Sequence, residues 1–96
     1  MNSSSFIPGQ NLTFSTIESE RKRLLNYCRS NEEQMLCLNL KNVSLCDSAG
    51  LAFLIDFKRL ARKYNKQSKI EGFTETILAL AEFYGVDKIL ITNEID

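Results

Sequence analysis

The spacing of apolar residues divides the chain into alternating elements. A short apolar pair, Phe6-Ile7, precedes a Pro8-Gly9 turn and predicts either a short edge strand or an unordered start. Ile17, Leu24 and Cys28 then recur on one face of a helix expected over about Thr16 to Arg29. Ser15-Thr16-Ile17-Glu18 has the S-x-x-E form of a capping box, so Ser15 is the expected N-cap. Met35–Leu40 reads M-L-C-L-N-L, apolar on both faces, as in a central parallel strand covered by helices. A mixed loop, Lys41 to Cys46, leads into Asp47-Ser48-Ala49-Gly50-Leu51 and a long helix running to about Asn65. At about 100° per residue, Gly50, Phe53, Leu54, Phe57, Leu60, Ala61 and Tyr64 share its buried face.

Lys69-Ile70-Glu71 predicts a short strand. Thr74 caps a third helix over Glu75 to Tyr84, with Phe73 and Leu78 as a hydrophobic staple. Ile77, Leu80, Ala81 and Tyr84 form its buried stripe, and Gly85 suits the position just past its end. Lys88-Ile89-Leu90-Ile91-Thr92 is the expected last strand. The order β-α-β-α-β-α-β implies one α/β domain over residues 1–96, with a mostly parallel or mixed four-stranded sheet, three helices and right-handed crossovers.

Composition narrows the chemistry. The 96 residues suffice for one small domain. Hydrophobic residues make up 44% and charged residues 25%, which is ordinary for a globular chain and excludes a disordered one. Twelve Lys+Arg balance twelve Asp+Glu, so no net charge draws the molecule to nucleic acid or to an anionic membrane. The longest apolar runs, Leu51–Ile55 and Ile77–Ala81, are five residues each, against the roughly 20 needed to span a bilayer. The segment MNSSSFIPGQ has neither Lys nor Arg nor an apolar core, so no secretory signal is expected and a cytoplasmic location follows. With no His, neither a Ser-His-Asp triad nor a Cys-His pair can form, and imidazole-based metal sites are excluded. Cys28, Cys37 and Cys46 form no C-x-x-C pair and read as small buried or half-buried thiols in a reducing compartment. Glu32-Glu33, the one adjacent acidic pair, falls in a loop and reads as solvated, and no Gly-rich phosphate loop is present. No cofactor, metal or catalytic activity is expected.

The junction Asp47-Ser48-Ala49-Gly50 carries the most information. Asp or Ser at a helix start accepts hydrogen bonds from free N–H groups, and a carboxylate there complements the helix dipole. That structural role is complete in itself. A functional role is also open, because Gly50 permits close approach of another backbone and a hydroxyl at a helix start can meet a partner or accept phosphate. Leu51 and Ile55 fall off the core stripe of this helix, on the same outer side as Lys58, Arg59 and Arg62. Six basic residues lie between 58 and 69 with no acid among them. This outer face is either solvated or a docking surface, apolar at one end and basic at the other.

These residues resemble the STAS domain family. The resemblance rests on Leu38-Asn39-Leu40-Lys41-Asn42-Val43 followed by Cys46-Asp47-Ser48-Ala49-Gly50-Leu51, similar to a strand ending in D-L-S-x-V and a helix start D-S/T-x-G-L. Gly9-Gln10-Asn11-Leu12-Thr13-Phe14, Leu51–Ile55 and Ala79–Val86 are most similar to the MlaB-type branch. That branch comprises cytoplasmic subunits of phospholipid ABC transporters that maintain outer-membrane lipid asymmetry. The resemblance implies a non-enzymatic subunit that binds and regulates a transporter ATPase (MlaF-like), touching the membrane only through the transporter. Carried over, Asp47, Ser48, Gly50 and Leu51 would lie at the contact, and the helix-wheel reading adds Ile55, Lys58 and Arg62. The alternative within the family is an anti-sigma factor antagonist switched by serine phosphorylation. Those proteins are phosphorylated at the position next to the glycine, here Ala49, which leaves Ser48 as the candidate acceptor. Members of the family usually have a longer N-terminal hairpin, and only about eight residues precede Gly9, so the first strand should be missing or very short and the sheet edge exposed, which with Leu51 and Ile55 allows weak self-association.

Overall fold

Period-two burial sets the sheet. A computed structural model describes residues 5–91, with elements β1 (Ser5–Phe6), β2 (Asn11–Leu12), α1 (Ile17–Ser30), β3 (Met35–Asn39), β4 (Leu45–Cys46), α2 (Ser48–Lys63), β5 (Gln67–Glu71), α3 (Glu75–Phe83) and α4 (Asp87–Ile91). Along β3, Leu36 and Leu38 are buried while Met35, Cys37 and Asn39 are half-buried. Burial on alternate residues shows that one face of the strand meets the core, where the sequence had suggested two. β3 lies between β1 and β5, parallel to both. The register aligns Phe6, Leu38 and Ile70 across the sheet, and all three are buried. Against this row pack Leu24 and Cys28 of α1 and Phe53, Leu54, Phe57 and Ala61 of α2. The Tyr27 hydroxyl accepts from the Cys37 N–H and donates to the Cys37 carbonyl, both at 3.1 Å, and so fixes α1 on the central strand.

Three expectations are corrected. The segment from Lys88 is helix α4 rather than a fourth strand of the sheet, and its expected end, Thr92, lies outside the described residues. A short apolar run has no intrinsic period, and this one buries only Leu90 while Ile89 and Ile91 stay exposed. One inward contact per turn suits a helix that follows α3 directly after the left-handed Gly85 (φ 73°). Ser15 is not the N-cap of α1. Thr16 holds that position without capping, because its hydroxyl donates to the Asn11 carbonyl (2.6 Å) and accepts from the Thr13 N–H (3.1 Å). Tyr84, placed in the buried stripe of α3, is 53% exposed. The Thr74 cap is present, its hydroxyl accepting from the Ile77 N–H at 3.1 Å.

The loop expected over residues 41–46 also holds a second ladder. β2 and β4 pair in parallel, Asn11 with Leu45 and Leu12 with Cys46. This pair sits against the first turn of α2, and glycine makes the approach possible. A Cβ on Gly50 would collide with the Leu12 carbonyl oxygen and lie 2.6 Å from the Cys46 sulfur. Gly-to-Ala normally favours a helix. Here the sign should reverse, and Gly50→Ala should cost about 1–3 kcal/mol through overpacking. A thermal melt followed by circular dichroism should show Tm several degrees lower. An unchanged or higher Tm would mean that β2 does not press on α2 as described.

Candidate functional site

The Asp47 carboxylate organises the start of α2. Its Oδ1 accepts from the Gly50 N–H at 3.1 Å, which caps the helix. Its Oδ2 accepts from the Phe14 N–H at 3.0 Å, which holds the turn between β2 and α1. The Asp47 N–H donates to the Leu12 carbonyl at 3.3 Å, and its own carbonyl accepts the first helical bond, from Leu51. The Phe14 amide holds the Asp47 carboxyl below its usual range, assisted by the amides of Gly50 and Ala49 against a smaller opposing effect of burial.

Around this carboxylate the surface is polar at one point and apolar at two. Ser48, the first residue of α2, is exposed. Phe14, tethered to Asp47 through its amide, is 81% exposed, and Leu45, two residues before Asp47, is 59% exposed. Large apolar side chains held out in water beside a polar group make this a candidate contact surface. Phe14 and Leu45 were not singled out from sequence as contact residues. Their signal was available only in pattern form, as the last residue of the Gly9–Phe14 segment and as an apolar residue inside a loop. Gly50 and Leu51 (3% exposed) belong to the layer beneath and shape this surface from below.

The outer side of α2 differs from the face drawn on the helical wheel. Leu51 packs in the core, and Lys58, expected outside, is only 8% exposed. Its methylenes lie along apolar surface while its ammonium donates to the Ser68 carbonyl at 3.3 Å. Ile55, Lys58 and Arg62 instead line a cleft of about 510 Å³ between the C-terminal half of α2, the start of β5 and α4. Thus Ile55, Lys58 and Arg62 form one group and Asp47 and Ser48 another, at successive positions along the same helix.

Among the described residues, no three of His, Cys, Asp and Glu gather in a way that could hold a metal ion. The three cysteines are free thiols. Burial pushes Cys28 and Cys46 up to about 11, and Cys37 is raised as well, chiefly by burial. Thiols held in this protonated form are poor nucleophiles. No described helix is long and apolar enough to cross a membrane.

Comparison with known proteins adds a family. A family model described as "Mlab, STAS domain" matches residues 10–92. No curated protein gives a match. Among solved structures, the fold is similar to that of a sulfate transporter family protein from Wolinella succinogenes. The TM-score is 0.70 at 17% identity, over 91% of this chain and 70% of that one.

The Asp47 geometry carries a test with a defined sign. Asp47→Ala should destabilise the fold by about 1–2 kcal/mol, and Asp47→Asn by less, because the amide oxygen can still cap. A carboxyl whose folded value lies below its usual 3.8 stabilises fully above that value and loses the effect as pH falls through the lowered one. Denaturant unfolding should therefore show a wild-type advantage over Asp47→Asn that is level above about pH 5 and shrinks below about pH 4. An advantage that grew on acidification would contradict the assigned bonds.

Proposed function

This chain belongs to the MlaB-type STAS domain family, and on that premise we propose that it is a non-enzymatic subunit which binds and regulates the ATPase of an Mla-type phospholipid ABC transporter. The observation that carries this reading is the start of α2, where Phe14, Leu45 and Ser48 stand exposed around a carboxylate that rigidly holds the helix and the preceding turn. Such a surface is pre-organised, so little conformational entropy is lost on association. In the proposed complex Phe14 and Leu45 supply the buried apolar anchor and Ser48 a hydrogen bond at the centre. Asp47, Gly50 and Leu51 set the position of these groups, and Ile55, Lys58 and Arg62 extend the contact along α2. Binding on the cytoplasmic side of the transporter would place the subunit at the membrane only through its partner.

The exposed Ser48 hydroxyl is also the group that a kinase would use in the anti-sigma antagonist reading. Asp47 beside it already takes the Gly50 and Phe14 amides. A phosphate at Ser48 would sit against that carboxylate and compete for the same donors. The geometry therefore favours Ser48 as a contact over Ser48 as a switch.

Co-purification with the cognate ABC ATPase tests the proposal. Phe14→Ala and Ser48→Glu should each weaken binding by about tenfold or more while leaving Tm within a degree or two, as expected of central contact residues. Lys22→Glu, on an exposed position of α1, should bind as wild type. Unchanged affinity for both site variants would remove the reading. Phosphate incorporation at Ser48 by a partner kinase, with no ATPase bound, would put the phospho-switch in its place.

A further inference from the structure

Among the described residues, six large apolar side chains stand exposed: Phe14, Leu45, Phe83, Tyr84, Ile89 and Ile91. Leu51, expected to support self-association, is not one of them, since it is buried in the core. The charges around each exposed group decide what can cover it. We propose that the Phe14–Leu45 surface is covered by the same surface of a second copy of this chain when no other partner is present, so that self-association closes the surface assigned above to the ATPase.

Three features point this way. The first is charge. A two-fold contact sets a patch against itself, so a patch of one sign repels its own copy and an uncharged patch does not. Residues 10–17 and 42–55 contain a single charged side chain, Asp47. Its carboxylate is already occupied by the Phe14 and Gly50 amides. The apolar pair at the end of α3 is different. Phe83 and Tyr84 follow Glu82, and α3 carries Glu75 and Glu82 with no basic residue. Two such ends brought together would oppose like charges. The second feature is continuity. Asn11 and Leu45 are cross-strand partners, and the Phe14 amide is bonded to Asp47, two residues beyond Leu45. The two apolar side chains therefore belong to one surface on a backbone already fixed, which lowers the entropy lost on association. The third is size. Two apolar side chains per copy belong with interfaces below about 1,200 Å², the class of weak and transient complexes. A two-fold contact also closes on itself, so assembly stops at a dimer. Such a dimer yields to a partner that buries the same residues more completely.

The dimer itself is a property of the isolated chain, and only its competition with the ATPase rests on the proposed function. Analytical ultracentrifugation of the full chain alone, from about 10 μM to about 1 mM, reads the first part. The average mass should rise from the monomer value of 11.0 kDa toward twice that value, with a dissociation constant of about 0.1–1 mM. The constant should not change between low and high salt, because the contact is uncharged. The double variant Phe14→Ala/Leu45→Ala alters two exposed side chains and should keep the fold, as circular dichroism would show. Its dissociation constant should rise about tenfold or more. Phe83→Ala/Tyr84→Ala should associate as wild type. A chain that stays monomeric throughout, association that the first double variant retains or the second abolishes, or species growing past the dimer would each overturn the proposal. So would a dimer that salt dissolves, since charges would then hold it. The second part adds the cognate ATPase, which should convert dimer to a one-to-one complex. An ATPase that binds the intact dimer would overturn the competition. ATPase binding at wild-type strength by the Phe14→Ala/Leu45→Ala variant, with its dimer lost, would overturn the ATPase assignment and leave the dimer standing.

Discussion

The Asp47 carboxylate is shared between two backbone donors, Gly50 three residues ahead and Phe14 thirty-three residues behind. One oxygen starts a helix and the other closes a turn, so a local capping interaction also becomes a tertiary one. Removal of either partner would leave the other in place but misaligned, since β2 and β4 are two-residue strands with few ladder bonds of their own. The close contact of Gly50 with the Leu12 backbone works with it, because a helix capped by Asp47 can be drawn against β2 only where no side chain intervenes. Each device requires the other. The exposed position of Phe14 and Ser48 follows from both, as neither residue has a layer of protein left to pack into.

A comparable use of one side chain for two tasks holds the N-terminal segment. Glu20 is buried in α1, yet both of its oxygens are occupied, one by the Gly9 N–H at 2.9 Å and the other by Arg23 at 2.6 Å. Arg23 in turn donates to the Ile7 carbonyl and stacks over the Phe6 ring, 5.0 Å from its centroid. A two-residue β1 would hold poorly on ladder bonds alone. The Glu20 and Arg23 side chains add bonds to the Gly9 N–H and the Ile7 carbonyl that tie the segment down beyond its short ladder on β3.

Much of this architecture was legible in sequence where a period or a cap was strong. The Thr74 cap, the left-handed Gly85 and the core stripe Phe53-Leu54-Phe57-Ala61 were all readable because each depends on neighbours within a few residues. The misreadings came from competition that sequence does not display. The Ser15 capping box failed because the Thr16 hydroxyl was taken by Asn11 and Thr13, in a turn tethered by Asp47 from far along the chain. Lys88–Ile91 looked like a strand because its composition is β-branched, but the available space over α2 and β5 admits only Leu90. The site was half-visible. Asp47 and Ser48 stood out as a helix start, whereas Phe14 joined them only through a bond spanning thirty-three residues. The helical wheel misplaced Lys58 because it assigns a direction to a charge without knowing that α4 and β5 close over its stem.

The two ends of α2 therefore present different chemistry on one rigid element. The helix has sixteen residues, so its ends are roughly 24 Å apart at 1.5 Å per residue. Between them Phe53, Leu54 and Phe57 are locked into the core, leaving no freedom for the helix to rotate independently of the sheet. A partner seated at Ser48 and reaching along the helix to Ile55, Lys58 and Arg62 would meet a surface already in place.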